Sequence, residues 1–306
     1  MRALLVVNPK ATTTSAQVRD VLAHALASEV KLDVVETTHR GHAADLARQA
    51  AVDGLDVVVA LGGDGTVNEV VNGLLHTGPR DGLPSLAVVP AGSTNVFARS
   101  LGMPNSAIEA TSQLLDGLLH ERRRRIGLGR ANDRWFTFSA GLGIDAGAVR
   151  RVERSRAKGR QMTQARFVRK SLQEFYFGPS RRRPVITLTR PDHDPVDVAL
   201  AFVCNSDPWT YLGDRPVRAT PAAGFETGLD VFALQRLATL PTLRHLAQIL
   251  SGRRAPHGRH LVALHDEPEL VLSSDLDLPL QVDGDDLGDR RSVTFRSVPS
   301  ALDVVV

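Results

Sequence analysis

The chain holds one cysteine, Cys204, in 306 residues. An internal disulfide and a cysteine-built metal site are therefore both excluded, as expected for a protein of the cytoplasm. No apolar run comes near the roughly 18 uninterrupted residues of a membrane-spanning helix, so any membrane contact is peripheral. The opening Ala3-Leu4-Leu5-Val6-Val7 is too short for a signal segment, lacks a cleavage site, and reads as a first strand. No Gly-x-x-x-x-Gly-Lys-Ser/Thr stretch occurs anywhere, which removes the P-loop from consideration. Aromatic residues are scarce at 5%, and neither an internal repeat nor a low-complexity tract is visible. What remains is an ordinary globular composition, 42% hydrophobic and 23% charged, long enough for two domains.

Charge is nearly balanced, at +3 overall, but unevenly spread. Residues 150–183 carry twelve Lys/Arg against two acids, Glu153 and Glu174, whereas Asp266 to Asp289 is acidic.

The first 127 residues alternate short apolar runs with amphipathic segments. Strands are expected at Leu4–Val7, Leu32–Val35, Asp56–Leu61 and Ser85–Val89, and helices at Ser15–Ala27, at Ala43–Ala51 and after Thr66. That order predicts an open parallel sheet with helices on both faces, whose ligands bind beyond the carboxyl ends of the strands. Asn8-Pro9-Lys10, Thr37-Thr38, Gly62 to Thr66 and Ala91 to Asn95 all fall at those ends. From Arg134 onward the pattern changes to short alternating runs, which predict an antiparallel, β-rich sandwich or barrel-like second domain. Helices at 161–177 and 241–250 interrupt it.

Gly62-Gly63-Asp64-Gly65-Thr66 stands between a buried strand and the helical face of Val67, Val70, Val71 and Leu74. Glycines free the backbone to turn, Thr66 occupies an N-cap position, and the helix start favours an anion such as phosphate. A carboxylate at Asp64 would repel that phosphate unless Mg²⁺ lay between them. Asn68 and Glu69 follow on the first helical turn, while Gly92-Ser93-Thr94-Asn95 supplies a second glycine-and-hydroxyl loop.

GGDGTVNEVVNGL, followed by Pro90-Ala91-Gly92-Ser93-Thr94-Asn95-Val96-Phe97-Ala98-Arg99, resembles the catalytic domain of diacylglycerol kinases, sphingosine kinases and bacterial lipid kinases. The resemblance implies an α/β domain of the NAD kinase/diacylglycerol kinase type over 1–127, completed by a strand at 298–306. A β-rich lipid-substrate domain would then span 128–297. It further implies ATP and Mg²⁺ as cofactors and a lipid hydroxyl as acceptor. ATP contacts are expected from Asn8, Pro9, Lys10, Thr37, Gly62, Gly63, Asp64, Gly65, Thr66, Asn68, Glu69, Gly92, Ser93, Thr94 and Asn95.

Asp285, in Asp283-Gly284-Asp285, stands where the family has a glutamate that acts as base, and is one methylene shorter. Read without the resemblance, that stretch is a solvated hairpin tip. A second, structural metal site in related enzymes maps onto Glu226 and Asp230, where this chain is one residue shorter and has Thr227 before the glycine; a plain turn is the competing reading. Gly141-Leu142-Gly143 imitates a dinucleotide fingerprint without the surrounding βαβ unit.

The expected partner is a lipid at the inner face of a membrane, met through the basic region 150–183. Nucleic acid is disfavoured by the scarce aromatics. A homodimer is compatible with the sequence. NAD kinase and a nucleotide-binding regulator that has lost catalysis are the competing functions.

Overall fold

Branched apolar residues dominate the first strands and suit strands buried on both faces. The structure, a computed structural model, describes residues 1–11, 16–143 and 185–306. It divides into two units, Met1–Leu128 with Pro299–Val306, and Gly129–Val298. The helix expected over 161–177, the basic region 150–183 and residues 144–147 of the glycine-rich stretch lie outside the described residues.

In the first unit the elements run β1 (Arg2–Val7), α1 (Ala16–Ala27), β2 (Lys31–Glu36), α2 (His42–Val52), β3 (Val57–Gly62), α3 (Asp64–Leu74), β4 (Ser85–Pro90), α4 (Val96–Ser100) and α5 (Ala107–Leu119). The strands lie side by side in the order β4-β3-β1-β2, all parallel. Val304, from the closing residues, pairs in parallel with Leu86 of β4. Every residue of β3 and β4 is buried. On one face Leu5, Val59, Leu61 and Val89 pack with Leu22 and Leu26 of α1 and Leu114 and Leu118 of α5. Edge strand β2 is largely exposed, and its Glu36 pairs with Arg19 at 2.7 Å.

A nine-residue strand, β5 (Arg123–Ala131), leads into the second unit. There follow β6 (Arg134–Phe136), β7 (Ser139–Leu142), β8 (Ile186–Thr189), β9 (Val196–Val198), β10 (Leu200–Cys204), β11 (Thr210–Leu212), β12 (Arg215–Val217), β13 (Leu229–Leu234), α6 (Thr239–Ser251), β14 (Leu261–Glu267), β15 (Glu269–Val282) and β16 (Asp285–Val305). The order β14-β13-β10-β7-β15-β16 is antiparallel throughout, with β8 on β15 and β9 on β8. The second half is thus β-rich, as expected. Strand alternation sends Ala201, Val203, Val231 and Ala233 to a core with Phe136 and Phe295, and Phe202, Cys204, Phe232 and Leu234 to the opposite core. Trp209 stacks on Phe202 at 4.8 Å in that second core.

Candidate active site

The rim of the first unit is held by backbone contacts. Asn8 N–H donates to the carbonyl of Leu61 (3.0 Å), and Ala91 N–H donates to that of Gly62 (2.8 Å), so the loops after β1 and β4 both lean on the end of β3. Helix α3 starts at Asp64 with Gly63 as N-cap, and the Gly63 carbonyl accepts from Thr66 N–H (2.9 Å) and Val67 N–H (3.2 Å). Thr66 is therefore not the cap the sequence suggested. The glycine lets the helix begin earlier, and the Thr66 hydroxyl accepts instead from Asn8 Nδ2 at 3.0 Å.

Gly63 and Gly92 meet backbone to backbone. A Cβ at Gly92 would fall 2.6 Å from the Gly63 Cα, closer than any side chain tolerates. Asn95, buried and in the left-handed region (φ 51°), fixes the loop by accepting from Gly92 N–H and donating to the Gly92 carbonyl, both at 2.9 Å. Its amide also donates to Asn105 at 2.8 Å. The Asp64 carboxylate accepts from Phe97 N–H at 3.1 Å and so ties the head of α3 to α4.

Asn8, Gly62, Gly63, Asp64, Thr66, Gly92 and Asn95 are brought together in this way. Gly65 lies half-buried on the first turn of α3, with Thr94 half-buried and Ser93 exposed on the neighbouring loop. Thr37 joins the rim through its N–H to the Val7 carbonyl (2.8 Å), and Lys10 through its N–H to Asn8 Oδ1 (3.0 Å); the side chains of Pro9 and Lys10 are exposed. Two expected contacts face elsewhere. The Glu69 carboxylate accepts from Gly41 N–H (2.9 Å) and Ala43 N–H (3.2 Å), capping α2. Asn68 is 1% exposed and accepts from Asn72 Nδ2.

In the second unit, Asp283 and Gly284 form the two-residue turn between β15 and β16, both with positive φ (48° and 81°), the mirror-image geometry that suits a twisted hairpin. Gly284 at the tip is exposed, but the Asp283 side chain is not solvated. Asp283 is 5% exposed, and its carboxylate accepts from Thr137 N–H (2.7 Å), Thr137 Oγ1 (2.9 Å), Phe138 N–H (3.0 Å) and Ser139 N–H (3.1 Å). Gln281 takes the Gly284 N–H at 3.0 Å. Asp285, half-buried and opposite Val282, starts β16 from this fixed turn.

Residues 2–131 match the diacylglycerol kinase catalytic domain family. A diacylglycerol kinase of Bacillus subtilis is 44% identical over 108 residues, a stretch covering 35% of this chain and only 33% of that enzyme. A diacylglycerol kinase of Staphylococcus aureus is 25% identical over 272 residues, covering 84% of this chain and 76% of the relative. The chain thus resembles the diacylglycerol kinase-like family, most closely through its first unit. Its fold is similar to the crystal structure of a diacylglycerol kinase from Bacillus anthracis (TM-score 0.72, 19% identity, 99% of this chain and 96% of that one). It is also similar, more distantly, to an NAD kinase from Archaeoglobus fulgidus in complex with ATP (TM-score 0.54, 12% identity, 100% of this chain and 94% of that one).

The second-unit carboxylates Glu226 and Asp230 differ in exposure. Asp230 is 2% exposed, with His265 Nδ1 at 2.7 Å and Asp266 N–H at 3.2 Å. Burial raises its pKa, opposed by those hydrogen bonds. Glu226 is exposed on the turn before β13. Among the described residues no group of three or more His, Cys, Asp or Glu is placed to hold a metal; Asp230 is the buried half of an Asp–His pair whose imidazole is exposed. Nearby, burial pushes the Asp207 carboxyl up to about 6, against the pull of Arg218, whose Nη1 lies 2.6 Å from Oδ2. Sequence reasoning missed Asn105, Asp207 and the role of Asp283; only Asp283, in an Asp-Gly pair between two strands, had a local signature.

Proposed function

We propose that this chain is an ATP-dependent lipid kinase that transfers the γ-phosphate to a lipid hydroxyl, that of diacylglycerol first among the candidates. The observation that carries the reading is the interlocked rim, in which two glycine loops touch through backbone alone at the head of α3 with Asp64 on its first residue. Bare backbone N–H groups at a helix N-terminus bind phosphate, and the loops of Asn8, Gly63 and Gly92 converge there. Asp64 fits Mg²⁺ held between one carboxylate and phosphate oxygens, the usual mode for this ion at a nucleotide; when bound it neutralises charge on the transferring group.

In the second unit Asp285 orients the acceptor hydroxyl and takes its proton as the hydroxyl oxygen bonds to the γ-phosphorus. The bond to the β,γ-bridging oxygen breaks and ADP leaves. Phosphoryl transfer depends chiefly on such positioning, so the shorter aspartate serves where the hairpin holds it firmly, and Asp283 is the positioning residue. The lipid acceptor places the protein at a membrane surface, on the cytoplasmic face. NAD is the second acceptor to consider, on the strength of the likeness to an NAD kinase fold.

Phosphate transfer from γ-labelled ATP to a panel of lipids in mixed micelles, with NAD alongside, tests the reading. Label on a lipid that disappears in Asp64→Asn and falls at least about 100-fold in Asp285→Ala supports it. Full activity of Asp64→Asn, or label on NAD alone, sinks it.

A further inference from the structure

Helix α6 is turned inside out for a helix of a soluble domain. Only His245 and Ile249, one turn apart, are buried. On the opposite side Leu240, Leu243 and Leu246 are 80%, 45% and 41% exposed, with Ala247 exposed between them. At 3.6 residues per turn, positions 240, 243 and 247 form one stripe and Leu246 borders it. A domain gains nothing from three leucines facing water, and helices of this length normally bury their apolar stripe.

Along the sequence, the segment that holds the helix carries one sign of charge. From Val231 to His265 the chain has no Asp or Glu and five arginines, Arg236, Arg244, Arg253, Arg254 and Arg259. All five are exposed. At the start of the helix a cavity of about 240 Å³ is lined by Leu240, Pro241, Arg244, His245, Gly258 and Arg259. Ala238, the N-cap, gives the first-turn N–H groups no side-chain acceptor, and no acid lies in that turn. A leucine stripe bordered by arginines and an uncapped helix start is complementary to phosphate headgroups over acyl chains. Nucleic acid would call for aromatic side chains among the arginines, and this face has none.

We infer that α6 with the segment Arg253–Arg259 is a docking surface for an anionic membrane, with Leu240, Leu243 and Leu246 entering the headgroup–acyl boundary and Arg244 and Arg259 engaging lipid phosphates. The surface takes its purpose from the lipid-kinase reading and rests on it for that alone; its geometry and charge stand independently. It differs from the basic region 150–183, to which the sequence pointed.

The test is cosedimentation of the full chain, without ATP, with vesicles of phosphatidylcholine alone or mixed with phosphatidylglycerol. Binding to the phosphatidylglycerol vesicles at least about ten-fold above that to phosphatidylcholine, weakening as salt rises, is expected. The triple variant Leu240→Gln/Leu243→Gln/Leu246→Gln keeps helix propensity and touches no buried position. It should bind at least about 30-fold more weakly. Arg244→Gln/Arg259→Gln should lose about 25-fold, near five-fold for each arginine. Undiminished binding by the triple variant overturns the inference. So does a wild-type chain that ignores anionic vesicles while size exclusion shows the leucine variant dissociating a dimer, since a second copy then covers the stripe. Micellar kinase activity of the wild type, measured in parallel, separates the two readings: vesicle binding by the wild type without any lipid phosphorylation removes the kinase and leaves the surface standing.

Discussion

The two turns that matter here, Gly62–Thr66 with its neighbour Gly92 in the first unit and Asp283–Gly284 in the second, use glycine for opposite reasons. Gly92 is needed for space, because a Cβ there would meet the Gly63 backbone at 2.6 Å. Gly284 is needed for its φ of 81° and has nothing within 4 Å of where a Cβ would stand. The first turn is close-packed where side chains are absent, glycine backbone against glycine backbone. The second is assembled by one side chain, Asp283, that gathers N–H groups away from solvent. The two loops thus use glycine in inverse ways, and substitutions can tell them apart.

The largest effect is expected at Asp283. Replacing it by Ala strands three buried backbone N–H groups and the Thr137 hydroxyl. A loss of about 4 kcal/mol or more in urea unfolding should follow, each unsatisfied buried group costing about 1–3 kcal/mol. A loss below about 1 kcal/mol would mean the turn is held by something else.

Next comes the pair of glycines. Gly92→Ala should cost about 2–3 kcal/mol through backbone displacement and weaken ATP binding, read by calorimetry. Gly284→Asn, which tolerates a left-handed backbone, should cost less than about 1 kcal/mol. Equal costs at the two positions would erase the distinction between space and φ.

The last effect is a pH dependence, at Asp207. Its folded pKa of about 6 lies above the unfolded value, so between about pH 4 and 6 the native state holds a proton that the unfolded chain has released. This contribution favours the native state in acid and is lost as the pH rises through 6. Melting temperatures of Asp207→Asn and the wild type should therefore diverge in favour of the variant from pH 4 to pH 7.5. Parallel pH profiles would show that the buried carboxyl titrates normally.

Much of the first unit was legible because its signals are compositional. Branched apolar runs, glycine turns and alternating helices place Asn8, Gly62 to Thr66 and Gly92 to Asn95 on one rim without any knowledge of contacts. What sequence spacing does not carry is the direction a polar side chain takes. Thr66 has the chemistry of a cap, yet Gly63 holds that position. Glu69 sits beside the glycines yet reaches back to α2. Asp283 reads as solvated because Asp-Gly tips usually are, and its burial depends on three N–H groups supplied more than 140 positions away. Helix α6 was expected from its periodicity, but it carries apolar residues on two sides, and only packing decides that Ile249 is inside and Leu240 outside.

The pairing of Val304 with Leu86 also sets the order in which this protein can be finished. The Arg122 guanidinium reaches the Val306 carbonyl across 184 positions, so the first unit has an open flank until residues 304–306 have been synthesised. The intervening unit must form as an insertion inside an incomplete sheet, during which β4 exposes a pairing edge to any passing strand. Once joined, the ends make local opening of the first sheet costly, since releasing the last residues uncovers Val305 and Leu118 together.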